Sequence, residues 1–419
     1  MPALPFAKSI VQTLAHAGHI AYFAGGWVRD YLMKHPSDDI DIATTATPQE
    51  IQALFPKTIP VGIAFGIIIV VIESHQFEIA TFRKESEYTD GRRPMRIEKA
   101  TPEEDAHRRD FTINGMFWDP IQETLLDYVG GQDDLAKGII RAIGNPHERF
   151  FEDRLRMMRA VRYSTRFGFP IEPATSQAIL DHANSLLPFV AMERIWQEFR
   201  KMSQFAHFDR GLVALHRLHL LPTIFPELKD VSLEEIEKRV APLRFFPKGA
   251  PTISELLELF PNDSLETILE RCETLKVSRE ERELAIFLHK TTQMLDMPKD
   301  WLAKLELVEW AQFYAHPHAD LALQIRAAHL EHSEKLHFLQ EHTSRRQALH
   351  TAIARMQTHT PLLRAEHLLA EGIIPGEYLG KLLKEGERIA VNHSLESPKE
   401  ILHLLKESPL WENKISPEK

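Results

Sequence analysis

Apolar residues fall into two regimes along this chain. Up to about Leu135 they run together or alternate in short stretches, as in Ile67-Ile68-Ile69-Val70-Val71-Ile72 and Phe77-Glu78-Ile79-Ala80-Thr81-Phe82-Arg83, which flank Ser74-His75-Gln76. Short runs bounded by turn residues predict strands, and helix-spaced stretches between them predict an α+β head with a small mixed sheet. The most apolar run, Val61 to Ile72, predicts one buried strand with Gly62 and Gly66 at its entrance, and it is too short to span a bilayer. From Pro146 onward the apolar positions keep helical spacing and are punctuated by Gly168-Phe169-Pro170, Pro222, Phe225-Pro226, Phe246-Pro247 and Phe260-Pro261. An all-helical remainder follows.

Within the head, Gly25-Gly26-Trp27-Val28-Arg29-Asp30 precedes Asp39-Ile40-Asp41. On a strand, residues i and i+2 share a face, so Asp39 and Asp41 would repel unless a cation lay between them. Hard oxygen donors suit Mg²⁺, which completes its shell with water and substrate phosphates. The Gly-Gly turn lets backbone N–H groups approach a phosphate, and Arg29 offers a planar fork of donors. Either half alone also suits a solvated strand end or a surface loop. Together they read as a metal and nucleotide site.

Two further segments add chemistry. Arg108-Arg109-Asp110-Phe111-Thr112-Ile113-Asn114 combines packing residues with the polar set Arg109, Asp110 and Asn114. Glu152-Asp153-Arg154-Leu155-Arg156-Met157-Met158-Arg159-Ala160-Val161-Arg162-Tyr163 predicts a helix that buries Phe151, Leu155 and Met158 and carries Asp153, Arg156, Arg159, Arg162 and Arg166 on another face. Arginines three apart repel, so such a ladder calls for an anion, and a triphosphate would serve. Asp153 and Arg156 also form an acceptor and donor pair. Cytosine and adenine both present an amino donor beside a ring-nitrogen acceptor, whereas guanine and uracil present the reverse order.

These segments, with Asp119-Pro120 and Leu126-Asp127-Tyr128-Val129-Gly130-Gly131, resemble motifs A to D of the class II tRNA nucleotidyltransferases, the bacterial CCA-adding enzymes and their poly(A) polymerase relatives in the polymerase-β-like superfamily. The resemblance is strong over residues 20–170. It implies a nucleotidyltransferase head over 1–135, a helical neck for nucleotide selection over 136–200, a helical body over 201–310 and a tRNA-binding tail over 311–419. Ala191-Met192-Glu193-Arg194-Ile195-Trp196 resembles the neck's Glu-Arg segment, and Gly372-Ile373-Ile374-Pro375-Gly376 the turn of the tail element. Arg364-Ala365-Glu366-His367 departs from the family's pattern at the start of that element.

The implied reaction adds C and A from CTP and ATP to the 3′ end of tRNA. Asp39 and Asp41 would be catalytic and hold two Mg²⁺ ions. Gly26, Arg29, Arg109, Asn114, Asp153, Arg156, Arg159 and Arg162 would bind the nucleotide, and the tRNA acceptor and elbow would be contacted elsewhere. Glu78 reads equally as a third carboxylate or as a buried or salt-bridged strand residue. Arg83 to Pro94 resembles the family's flexible loop, which CC-only enzymes lack, so full CCA addition and A-only addition both remain open. The signature of poly(A) polymerases, Gly-Arg-Arg-Phe-Arg, is absent after motif A. From another class, a catalytically inactive RNA-binding relative is disfavoured by the intact Asp39 and Asp41.

Composition changes this picture little. The net charge of −10 would argue against nucleic acid, but Arg83, Lys84, Arg92, Arg93, Arg96, Lys99, Arg108 and Arg109 cluster before and within motif B, while acidic residues predominate between Glu255 and Glu283. An electropositive cleft on an acidic body is expected. Cys272 is the sole cysteine, excluding an intramolecular disulfide and a thiolate cluster. His316, His318, His329, His332, His337 and His342 lack a metal-ligand spacing and are expected on solvated helix faces. Leu288-His289-Lys290 lacks the His-Asp pair of a phosphohydrolase domain, so no second activity is expected. No signal peptide is read at the N-terminus; a cytoplasmic enzyme with no membrane or protein partner is expected.

Overall fold

The computed structural model describes residues 3–35, 37–62, 66–88 and 94–412. The head's strand-forming runs become β1 (Ala21–Ala24), β2 (Asp41–Thr44), β3 (Thr58–Gly62), β4 (Ile67–Ile72), β5 (His75–Thr81), β6 (Arg83–Tyr88), β7 (Pro94–Lys99), β8 (Phe117–Asp119) and β9 (Thr124–Leu126). Seven of them pair in the order β3-β4-β5-β2-β1-β8-β9, and β6 and β7 form a separate ribbon. Only β2 and β5 run parallel in the main sheet, which makes it mixed.

Strand alternation explains how this sheet carries both a core and a site. Phe23, Ile42, Ile68, Val70, Phe77 and Ile79 join one buried cluster with residues of helices α1 (Leu4–His16), α2 (Gly26–Leu32) and α3 (Pro48–Leu54). Ala24, Ala43 and Phe117 belong to a second cluster with Phe82 and Ala106. Asp41 has the parity of Ala43, and Glu78 that of Ala80. The parallel register pairs Ile42 with Ile79. Continued by one residue, it sets Glu78 beside Asp41.

Several elements differ from the sequence expectation. Val61 to Ile72 is not one buried strand: β3 ends at Gly62, Gly66 takes a left-handed φ of +73°, and β4 returns antiparallel. Val61 is exposed because it lies on the edge strand of the sheet. The segment Arg83 to Pro94, read as a flexible loop, holds β6 and the first residue of β7, with Lys84 opposite Glu98 in the ribbon and their side chains 3.7 Å apart; Thr89 to Arg93 lie outside the described residues. Asp39 precedes β2 rather than lying within it.

The motif D helix is interrupted. Helix α4 spans Pro102–His107 and α5 Gly131–Lys137; then α6 (Pro146–Glu152) stops and α7 (Leu155–Phe167) begins after Asp153 and Arg154. The break resets the helical phase. Phe150 is therefore buried and Phe151 exposed, while Leu155 and Met158 are buried as expected.

The chain forms two compact units, Met1–Ala241 with Glu273–Val277, and Pro242–Cys272 with Ser278–Lys419. Among the described residues beyond the ribbon, the secondary structure is helical apart from two short strands and isolated bridges. In the second unit, Leu363, Leu368, Ile373, Leu382, Ile389, Ile401 and Leu405 form a core around the expected helix, Gly-rich turn and helix. His342 departs from the solvated reading. It is buried against Trp310 and Phe338 and bonded to Tyr314 Oη at 2.7 Å, and burial followed by the Arg345 charge pushes its pKa down to about 4. Among the described residues no helix is long and apolar enough to cross a membrane.

The second Gly-Gly turn supports the site through close packing. A Cβ at Gly131 would lie 2.3 Å from the Thr112 carbonyl oxygen and 2.8 Å from Met116 Cγ, whereas at Gly130, with φ +77°, it would meet nothing within 4 Å. Gly130→Ala should therefore cost about 1 kcal/mol of backbone strain. Gly131→Ala should cost roughly 3 kcal/mol, because it overpacks the 3₁₀ turn Thr112–Asn114. Urea unfolding of the two variants checks the ranking, and a more damaging Gly130→Ala would contradict it.

Candidate active site

A cleft of about 570 Å³ opens in the first unit at the Asp41 end of β2. Every residue singled out from the sequence for catalysis or nucleotide binding lines it: Asp39, Asp41, Gly26, Arg29, Arg109, Asn114, Asp153, Arg156, Arg159 and Arg162. Glu78 joins them from β5, exposed at the cleft. Asp41 is half-buried; burial first, then the charges of Glu78 and Asp39, push its carboxyl up to about 7 despite the opposing charge of Arg109. Carboxylates whose charges oppose one another suit a divalent cation, which would remove that penalty, although among the described residues no three Asp, Glu, His or Cys side chains already stand in a ligating arrangement.

The first Gly-Gly turn brings the backbone close to this group. Gly25 has φ +66°, and a Cβ there would come 3.2 Å from Arg109 Nη1 and 3.8 Å from Asp41 Oδ2. Arg29, one helical turn on, is only 2% exposed. Its Nε donates to Asp30 Oδ1 at 2.9 Å and its Nη1 donates to Asn114 Oδ1, while Phe167 lies 4.7 Å below the guanidinium. So much of Arg29's hydrogen-bonding capacity is directed into the protein.

The same is true along the arginine ladder. Arg156 donates to Glu152 at 2.6 Å and to the carbonyls of Arg149 and Arg108; Arg159 grips Asp110; Arg162 donates to buried Glu198 at 2.6 Å; and Arg166 reaches Asp30 at 2.9 Å. The repulsion inferred from sequence is thus relieved by carboxylates of the protein itself. Asp153 caps the break before α7, accepting from the Leu155 amide at 3.1 Å, and pairs with Arg194 of helix α9 (Met192–Met202), α8 being Pro173–His182, at 2.9 Å.

Asp110 is the centre of this network. Burial alone would raise its pKa, but the charge and hydrogen bonds of Arg159, followed by the Arg156 charge and an Asn114 bond, bring it down to about 2. Sequence reasoning gave no role to Asp30, Asp105, Glu152 or Glu198. Spacing offered a signal for two of them: Asp105 precedes Arg108 and Arg109 by three and four residues, and Glu152 precedes Arg156 by four. Glu198 meets Arg162, and Asp30 meets Arg166, only through tertiary folding.

A mixed sheet presenting clustered carboxylates beside a Gly-Gly turn and an arginine-walled cleft defines a nucleotide-transferring enzyme. Residues 21–141 match the Poly A polymerase head domain, and residues 168–231 match the domain described as the probable RNA and SrmB-binding site of polymerase A. The CCA-adding enzyme of Pediococcus pentosaceus is 34% identical over 397 residues, covering 93% of this chain and 94% of that protein. That of Anoxybacillus flavithermus is 43% identical over 232 residues, 55% of this chain and 58% of the relative, so this second alignment spans little more than half of either protein. The crystal structure of the Bacillus stearothermophilus CCA-adding enzyme in complex with CTP superposes with a TM-score of 0.78 at 28% identity, covering 99% of this chain and 100% of that one. The chain belongs to the CCA-adding enzymes, the class II tRNA nucleotidyltransferase family.

The Asp110 network has a measurable pH signature. Its carboxyl is depressed relative to an unfolded aspartate, so the stability it contributes is present above about pH 4 and is lost as pH falls toward 2. Asp110→Ala should cost about 2–3 kcal/mol at pH 7, between an exposed and a fully buried pair because Arg159 is partly exposed. Its stability should also fall less steeply below pH 4 than that of the unaltered protein. Chemical denaturation across pH 2.5–7 measures both, and parallel acid limbs would remove Asp110 as the source.

Proposed function

We propose that this cleft transfers CMP and AMP units from CTP and ATP to the 3′ hydroxyl of tRNA, releasing pyrophosphate and building the full CCA end. The convergence of Asp39, Asp41 and Glu78 with the Asp153 and Arg156 pair in one cleft carries the reading. CTP is present in the 28% identical relative's structure, which supports the nucleotide class. Asp39 and Asp41 would hold Mg²⁺, with Glu78 as a further oxygen donor. Bound there, Mg²⁺ would lower the pKa of the attacking hydroxyl and neutralise charge on the triphosphate and leaving oxygen.

The protein's own groups do the selecting and orienting. Asp153 accepts from the exocyclic amino group of C or A, and Arg156 donates to the neighbouring ring nitrogen. Three of the five Arg156 N–H groups are engaged by Glu152 and two carbonyls, which fixes the guanidinium plane and keeps two donors for a base. Guanine and uracil would oppose donor to donor there, and sites built on hydrogen-bond matching reject such ligands strongly. Gly26, Arg29, Arg109 and Asn114 shape the sugar and phosphate end, and Arg159 and Arg162 supply positive charge to the triphosphate. Helices of residues 136–200 provide the selecting wall, and those of 201–310 and 311–419 hold the tRNA acceptor and elbow, with the cytoplasm as the compartment.

Incubation with tRNA transcripts ending before the first C, the second C and the terminal A, each with every labelled nucleotide, tests this activity. Incorporation of C, C and A respectively is expected; ATP incorporation on the last transcript alone would establish A-only addition instead.

Asp39→Ala and Asp41→Ala should each abolish incorporation of both nucleotides while tRNA affinity stays within a few-fold, as read by filter binding. Normal turnover in Mg²⁺ by either variant would refute the metal assignment. Base selection has a separate signature. Asp153→Ala or Arg156→Ala should lower the preference for CTP and ATP over UTP and GTP by roughly 1–3 kcal/mol. Arg159→Ala should weaken all four nucleotides alike, and kcat/KM for each nucleotide decides between these patterns.

A further inference from the structure

Asp105 lies on α4, outside the cleft lining, yet its side chain is only 1% exposed. A buried carboxylate has to be paired and hydrogen-bonded to be tolerated. Its two oxygens serve different parts of the head. Oδ1 accepts from the Arg83 amide at 3.2 Å and from Arg108, with Nε at 2.8 Å and Nη2 at 2.7 Å. Arg108 Nε also donates to the Arg83 carbonyl at 3.0 Å, so both backbone groups of the first β6 residue are held. Oδ2 accepts from Arg109, with Nε at 3.2 Å and Nη2 at 3.0 Å.

Arg109 is thereby held from behind. Its guanidinium lies 4.9 Å from the Phe117 ring centre, and Nη1 reaches the Asn114 carbonyl at 3.4 Å beside the Gly25 turn. We propose that Asp105 is a positioning residue for nucleotide binding, which fixes Arg109 in the cleft through one carboxylate oxygen while the other fixes the root of β6. Nucleotide would touch Arg109 and not Asp105. The inference rests on the proposed nucleotide site but is read without tRNA.

The test is a double-mutant cycle in the full-length protein with Mg²⁺, using equilibrium binding of labelled CTP and of labelled ATP. Asp105→Asn keeps the shape and removes the charge; it should weaken both nucleotides about tenfold, the scale of one charge-assisted hydrogen bond. Arg109→Gln should weaken them at least as much. The double variant should bind no more weakly than Arg109→Gln alone, because Asp105 acts through Arg109. Asp105→Glu, which restores the charge, should recover part of the loss; if Asp105→Asn does not fold, Asp105→Glu is carried through the same cycle with a few-fold loss expected. Wild-type affinity in the Asp105 variants, or losses that multiply in the double variant, overturns the proposal. Normal CTP binding by a wild-type protein that adds nothing to tRNA would fail the functional reading and leave this cycle informative.

Discussion

One ionised, buried carboxylate joins the elements that make the cleft. Asp110 receives Arg159 from α7 on one oxygen and Asn114 Nδ2 on the other, while Asn114 Oδ1 takes Arg29 from α2. A neutral residue at position 110 would leave Arg159 and Asn114 without their shared acceptor, and a buried group left unsatisfied costs more than a hydrogen bond contributes. The pairing therefore ties the Gly-Gly helix, the 3₁₀ turn and α7 into one arrangement. Tyr163 and Phe167, stacked at an interplanar angle of 4°, complete it by lying against Arg29.

Internal neutralisation decides how such a cleft stays folded before a nucleotide arrives. Nine arginines and six carboxylates are among its lining residues, and Asp105, Glu152 and Glu198, which pair with those arginines from behind the lining, bring the carboxylates to nine as well. Without Glu152, Asp110, Glu198 and Asp30 the ladder on α7 would repel itself, and with complete pairing it would offer a triphosphate nothing. Donors left over from these pairs resolve this, as with the two that Arg156 keeps. Fixed pairs orient the guanidinium planes, and the remaining N–H groups meet an anion without rearrangement, which is the value of a preorganised site.

The regularities of the sequence were legible where one local rule acted. The apolar run Ile67 to Ile72 and the alternation in Phe77 to Thr81 reported strands, helical spacing after Pro146 reported helices, and the resemblance to known motifs drew attention to residues that now share one cleft. Features set by more than one rule were not legible. Hydrophobicity carried Val61 into a strand but could not say that Gly62 and Gly66 frame a return, so it was read as buried when it stands on an edge. Phe151 was placed on the buried stripe by counting through Asp153, where the helix in fact stops. Histidine content suggested solvated faces, yet His342 is enclosed by aromatic rings that are distant in sequence.

With the base-selecting roles proposed for Asp153 and Arg156, the break at Asp153 bears on how one site would accept two bases of different size. An uninterrupted helix would commit the Asp153 carboxylate to a direction set by helical phase alone. At the break its backbone is extended, with φ −144° and ψ +104°, and its direction is set by the Leu155 amide and by Arg194 from another helix. Arg156, in contrast, is anchored within the first turn of α7 and to two carbonyls. The donor of the pair is thus rigidly framed while the acceptor hangs on an ion pair reaching across helices. A pyrimidine and a purine place their amino groups at different distances from the sugar, and a fixed donor with a separately held acceptor is the division of labour that such a difference requires.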